Sequence, residues 1–275
     1  MTASGAVPQF WRDPALPFLE ARSIQDGRAL CYAPHSHETF SIGTVLGGRS
    51  RYHNGSTREL VGAGTLVLMN PGDVHACNPQ GEDAWRYRML HVDAGWLAEL
   101  QRPGADDFQA LGVQLAVTGQ LYAGLEALHA CLIDPESLTL QRQSQALLYF
   151  EAVLARLGRT PVAATRTRED RRLRRAAEFL DAHCSEGVSL DQLSQVADLS
   201  PTQLIRSFRR RYGLTPHAYL IDRRIRLARH RLRQGDGLAE VALATGFADQ
   251  AHLQRTFKRL VAATPGQYRA ASALP

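Results

Sequence analysis

The chain has 275 residues, 44% of them hydrophobic, and a formal net charge of +5. That length suits one large domain or two moderate ones, and that composition excludes a disordered chain. No apolar run approaches the roughly 18–20 residues that span a bilayer, so no membrane is an expected partner.

The N-terminal stretch MTASGAVPQFWRDP has no basic flank followed by an apolar run, so it does not read as a signal peptide. Cys31, Cys77, Cys131 and Cys184 are scattered, without the paired spacing of a zinc site or a disulfide frame. A reduced, cytoplasmic protein is expected. The charge is unevenly placed: from Arg166 onward 20 Lys and Arg stand against 11 Asp and Glu, a net +9, while the preceding residues carry 12 against 16, a net −4. A basic segment tethered to a mildly acidic one points to a phosphate-bearing partner, most simply nucleic acid.

Residues 18 to about 93 are rich in short β-type runs punctuated by glycine, among them TFSIGTVLGG, SRYHNG, GTLVLMNPGD and RYRMLHVD. Closely spaced short strands of this kind predict a sandwich or small barrel over residues 1–104. Just ahead of one such run stand His35 and His37. Side chains two residues apart in an extended segment share a face, so the two imidazoles can converge on a metal ion or on one bound molecule. Trp85, Tyr87 and His91 occupy alternate positions of WRYRMLHV and are candidates to line the barrel interior. Arg86 and Arg88 then face solvent or the following helices.

From 105 to 158 the period becomes helical. Leu121, Leu125, Leu128 and Leu132 share one face, Leu147, Phe150, Leu154 and Leu157 another, and Pro135 separates the two helices. These stripes are candidates for pairing with a second copy of the chain. Residues 159–168 are polar and aperiodic, as a linker would be.

Residues 169–275 contain an internal repeat. At an offset of 49, Leu204, Arg206, Phe208, Thr215, Pro216 and Tyr219 recur as Leu253, Arg255, Phe257, Thr264, Pro265 and Tyr268. Ser189 with Gln192 and Ser200 with Gln203 have the spacing of capping boxes, and Pro201 suits a first helical turn. The repeat therefore reads as two copies of helix, tight turn, helix. Ile221, Ile225, Ala228 and Leu232 make the apolar stripe of a longer connecting helix, with Arg223, Arg224, Arg226, Arg229 and Arg233 on its other faces.

A helix-turn-helix can lay its second helix in the DNA major groove. With Leu204 and Phe208 turned inward, Thr202, Arg206 and Arg209 fall on the open side. In the second copy Gln250, Gln254, Arg255 and Lys258 do so. Arg can bond guanine bidentately and Gln adenine, while further Arg and Lys meet phosphates.

GFADQAHLQRTFKRLVAATPGQYR, residues 246–269, resembles the signature of AraC/XylS-type transcriptional regulators. The resemblance rests on Gly246-Phe247, Asp249, Arg255, Phe257-Lys258-Arg259, Thr264-Pro265 and Tyr268-Arg269, and covers about 105 C-terminal residues. The family has Phe where this chain has Leu253, and usually Gly where it has Ala262 or Ala263. The resemblance implies two recognition helices in successive major grooves, and by motif position it adds Gln203 and His252 to the base-reading candidates.

The N-terminal part is similar to the cupin-type sensor domain that many such regulators carry, through HSH at 35–37 and GTLVLMNPGDVHACN at 64–78. Cupin enzymes hold a metal with paired histidines, a glutamate and a later histidine. Here His35, His37 and His75 match the histidines, but the glutamate position falls near Ser41 or Ile42, and Glu38 is too early. Three uses of the histidines stand open: metal ligands, hydrogen-bond partners of an effector, or barrel structure. With the glutamate missing, the expectation is a metal-free sensor.

The fold expected is therefore an α+β multidomain chain: a cupin-like barrel, two helices that pair subunits, and an all-α double helix-turn-helix. The expected partners are double-stranded DNA, a small-molecule effector, a second copy of the chain and RNA polymerase. No cofactor and no enzymatic activity are expected; the rival reading is a cupin-type metalloenzyme fused to a DNA-tethering module.

Overall fold

The computed structural model describes residues 8–105, 107–116, 119–158 and 168–270. The expected linker, 159–168, lies outside them except for its last residue, which opens a helix. The chain divides into two compact units, one holding the strands and the first three helices, the other the remaining helices together with Tyr32–His35.

The first unit is built on two antiparallel sheets. Strands β1 (Gln9–Arg12), β2 (Leu19–Ile24), β3 (Phe40–Gly47), β6 (Leu66–Met69), β8 (Arg86–Val92) and β9 (Leu115–Ala116) form one sheet in the order β1-β2-β8-β3-β6-β9. Strands β4 (Arg49–Asn54), β5 (Thr57–Gly62) and β7 (His75–Pro79) form the other, in the order β5-β4-β7. The sheets are joined across the interior by Tyr52 of β4, fully buried, whose hydroxyl donates to the Leu68 carbonyl of β6 at 2.8 Å. Strand alternation then sorts the side chains. Phe40, Ile42, Leu90 and Val92 face outward from the large sheet into an apolar cluster, while Ser41, Tyr87, Met89 and His91 lie on its other face.

Helix α1 (Ala94–Gln101) follows β8 and is capped by Asp93, whose side chain accepts from Trp96 N at 2.8 Å. Helices α2 (Gly119–Ile133) and α3 (Thr139–Leu157) cover the large sheet: Leu121, Leu125, Leu128 and Leu132 of α2 pack with Ala146, Tyr149, Phe150, Val153 and Leu157 of α3 against its apolar face. Deleting one such buried side chain typically costs 2–5 kcal/mol.

Two expectations change here. Among the described residues from 105 on, helix begins only at Gly119, and Leu115–Ala116 adds a strand beside β6. In α3 the expected stripe is half right: Phe150 and Leu157 are buried, but Leu147 is 41% exposed and lies with Leu140 and Leu148 on the outer side. Val153 and Tyr149 take the inner places, since the sheet fixes which flank of the helix it meets.

The second unit contains α4 (Arg168–Ala182), α5 (Leu190–Ala197), α6 (Pro201–Tyr212), α7 (Pro216–Arg233), α8 (Leu238–Ala244), α9 (Gln250–Val261) and α10 (Pro265–Ala270). The two expected capping boxes form, Ser189 with Gln192 starting α5 and Ser200 with Gln203 starting α6, and Thr264 with Gln267 starts α10 in the same way. Asp249 caps α9, accepting from His252 N at 2.6 Å. Each repeat centres on the same buried pair, Leu204 with Phe208 and Leu253 with Phe257, all fully enclosed. Among the described residues no helix is long and apolar enough to cross a membrane.

Candidate functional site

Two sites follow from these elements, one in each unit. In the first, the turn Asn70-Pro71-Gly72-Asp73 sets the geometry. Gly72 has φ +83, a conformation open to glycine without strain. The Asp73 carboxylate accepts from Asn70 N at 3.0 Å, and the Asn70 amide bonds both ways to the backbone of Leu111, at 3.1 and 2.8 Å. From this braced turn Gly72 N donates to the His37 carbonyl at 2.7 Å, and His75 follows as the first residue of β7.

The result is a group of imidazoles. The ring of His37 lies 4.8 Å from that of His75 and 5.0 Å from that of His91, centroid to centroid. His75 belongs to the small sheet and His91 to the large one, so the group lies between the sheets. His35 and His75 are buried and His37 is partly so. Two of the tautomers are set by the backbone. His35 Nδ1 lies 2.8 Å from the Ala33 carbonyl and His75 Nδ1 lies 3.0 Å from the Asp73 carbonyl. A carbonyl only accepts, so Nδ1 carries a proton on both rings.

Trp85 and Tyr87, named with the histidines as lining residues, are buried and in ring contact, centroids 4.7 Å apart, further along the chain that leads to His91. Ser41, where a cupin glutamate was sought, instead bonds His91 Nδ1 through its hydroxyl at 2.8 Å. That role was invisible beforehand, because it needs the register that sets Ser41 opposite His91. Ile42 points into the apolar cluster under the helices, and Glu38 is exposed.

On the outer face of the large sheet Arg88 does meet the following helices: it pairs with Glu126 of α2, and the Thr44 hydroxyl donates to the same carboxylate at 2.6 Å. Nearby His129 is buried, and desolvation, aided by the Arg88 charge, pushes its pKa down to about 4.

The second site is the open side of α6 and α9. Thr202, Arg206 and Arg209 are exposed on α6; Gln250, Gln254, Arg255 and Lys258 are exposed on α9. Two of the motif candidates are otherwise engaged. Gln203 is exposed, yet its side-chain oxygen accepts from Ser200 N at 3.3 Å and from the Ser200 hydroxyl at 3.0 Å to cap its own helix. His252 is partly buried, edge-on to Phe247 with ring centroids 5.1 Å apart.

The arginines of α7 serve the interior. Arg223 pairs with Asp181 at 2.7 Å and donates to the Tyr219 hydroxyl, and Arg226 pairs with the buried Asp222 at 3.1 Å. Arg229 and Arg233 each donate to the Tyr268 hydroxyl at 3.2 Å. The two tyrosines are equivalent positions of the repeat, and each receives arginine from the one connecting helix. Sequence pattern shows these cations on polar faces; only the packed structure supplies the acceptors.

Comparison with known proteins agrees with this division. Residues 19–150 match the family described as an AraC-like ligand binding domain, and residues 193–271 a helix-turn-helix domain. The HTH-type transcriptional regulator YbfI of Bacillus subtilis is 29% identical over 80% of both chains. The HTH-type transcriptional activator RhaS of an Enterobacter species is 32% identical over 44% of both, and the regulator MtrA of Neisseria gonorrhoeae is 37% identical over 30% of this chain and 27% of its own length. The chain thus spans under half the length of several relatives it matches. In fold it is similar to ToxT of Vibrio cholerae, with a TM-score of 0.61 over 94% of this chain and 98% of that one, at 9% identity. With a cupin-like sheet unit ahead of a double helix-turn-helix, and both halves matched, the chain belongs to the AraC-type transcriptional regulators.

Proposed function

We propose that this regulator reads DNA with α6 and α9 and responds to a small polar effector bound among the imidazoles between its two sheets. The observation that carries the DNA reading is the repeat. The same Leu and Phe pair is enclosed in both copies, while Arg206 and Arg255, at equivalent positions, are exposed. Arg206, Thr202, Gln250, Gln254 and Arg255 are assigned to base edges, and Arg209 and Lys258 to phosphates. Gln203 and His252 position their helices rather than read bases.

For the effector, ToxT has been solved with an unsaturated fatty acid bound. The proposed site takes in His37, His75 and His91, with Trp85 and Tyr87 beyond them, and suits a ligand with polar atoms to pair. An effector can shift the regulator only by binding one of its states better than another. The outer side of α3, with Leu140 73%, Leu147 41% and Leu148 64% exposed at positions i, i+7 and i+8, supports pairing with a second copy.

Footprinting of the full chain on its operator tests the DNA assignment. Arg206→Ala and Arg255→Ala should each weaken specific binding by about 1–3 kcal/mol and relax base preference at sites roughly one helical turn apart. If both substitutions relax the same base pairs, the two-groove assignment is wrong.

A further inference from the structure

We infer that Ile205 is a base-reading residue through which α6 recognises the methyl group of a thymine, an assignment that rests on the reading of DNA by α6 and α9 proposed above.

Three observations carry it. On α6 and α9 the large apolar side chain left exposed is Ile205, at 38%. One exposed apolar residue on a protein surface is ordinary. Its place on the helix is what makes it informative. Thr202 precedes it by three residues and Arg209 follows it by four, so the three side chains are neighbours on one side of α6, and all are exposed. Ile205 thus stands between a residue assigned to base edges and one assigned to phosphate.

The second observation is the repeat. At the offset of 49, Ile205 falls at the position of Gln254, exposed on α9 and assigned to a base edge. The flanking residues match, Leu204 with Leu253 buried and Arg206 with Arg255 exposed. The two copies therefore place an amide and a branched hydrocarbon at one equivalent point. An amide bonds adenine bidentately. A hydrocarbon has no polar atom to offer, and the apolar feature of the major groove is the thymine C5 methyl.

The third is rigidity. Ile205 also lines an apolar groove with Leu190 and Leu193 of α5 and Leu220 of α7, which backs the side chain. A β-branched residue in a helix has one strongly preferred χ1 rotamer. Its methyls are set before DNA arrives, and little side-chain freedom is lost on contact. With Arg206, this gives the α6 half-site a thymine beside a guanine, whereas Gln254 and Arg255 give the α9 half-site an adenine beside a guanine.

The test begins with the full chain, which selects its preferred site from random duplexes. Each thymine of that site is then replaced singly by deoxyuridine, which removes the methyl and keeps the pairing. In the α6 half-site, located by footprinting Arg206→Ala, one replacement should weaken wild-type binding about fourfold, the effect of one buried methyl-sized group. Ile205→Ala should bind the thymine and uracil duplexes equally, and Ile205→Gln should move the preference at that position from thymine to adenine. The uracil replacement needs no protein variant, so a folding defect cannot imitate it. Uracil without effect at every position of the α6 half-site, or an effect that persists in Ile205→Ala, overturns the thymine assignment and leaves the DNA reading intact. A selection that returns no preferred site overturns both.

Discussion

Arg224, on the connecting helix, donates from Nη1 to the carbonyl oxygen of Gly246 at 2.5 Å, tying the second helix-turn-helix to α7. The same guanidinium donates to the carbonyls of Cys184 at 2.7 Å and Glu186 at 2.8 Å, at the loop that leaves α4. Three nitrogens of one planar fork thus satisfy three backbone acceptors that no helix reaches. Lysine cannot reproduce that geometry. Arg224→Ala and Arg224→Lys should both lower unfolding free energy by about 2–3 kcal/mol in denaturant titration. The salt dependence of DNA affinity, measured on the folded fraction, should keep its slope. A slope reduced by about one would make Arg224 a phosphate contact after all.

Ala262 holds the C-terminal cap of α9 at φ +54, in the left-handed region that costs an L-residue roughly 1–2 kcal/mol. This is where the family's glycine was missed in the sequence. Ala262→Gly should therefore stabilise the helical unit by about 1 kcal/mol in thermal or denaturant unfolding, with DNA affinity unchanged. At Gly246 the opposite holds. Its φ is +75 and a Cβ there would stand 2.6 Å from the Ser185 carbonyl oxygen, so Gly246→Ala should destabilise. Equal melting temperatures for the Ala262→Gly variant and the parent would refute the strain.

His129 is pushed down to about 4 by its burial within the packed face of α2, while an unfolded chain titrates near 6.5. Between those values the unfolded state binds the additional proton, so stability falls as pH drops from about 6.5 to about 4. Each pKa unit is about 1.4 kcal/mol. The slope of unfolding free energy against pH in that window should flatten in His129→Gln. An unchanged slope would place the dependence on other groups.

Exposed leucines on α3 should matter to assembly and little to folding. Leu140→Ser with Leu148→Ser should shift sedimentation toward monomer at micromolar concentration and leave the melting temperature within a few degrees. Phe150→Ala, fully enclosed, should instead cost about 3–5 kcal/mol of stability. A wild-type chain that sediments as monomer removes the second copy from the scheme.

What the sequence by itself determined is local or periodic. The capping boxes at Ser189 and Ser200, the repeat at an offset of 49, the Leu121–Leu132 stripe and the inward Leu204 and Phe208 depend on neighbours within a few residues or on helical period, and both are written in the chain. The family signature is legible for the same reason, since two copies repeat its order. The tertiary structure decided everything that needs a partner from elsewhere. Strand register set Ser41 against His91, a relation no spacing encodes. The sheet chose which flank of α3 to bury, sending Leu147 outward and Val153 inward. The arginines of α7 found carbonyls and tyrosine hydroxyls rather than solvent, because a polar face on a helix does not reveal what packs against it. The imidazoles of His37 and His75 show the division most plainly: nothing in their spacing brings them together, and only the Asn70–Asp73 turn, bonded to the His37 carbonyl through Gly72 N, sets the two rings 4.8 Å apart.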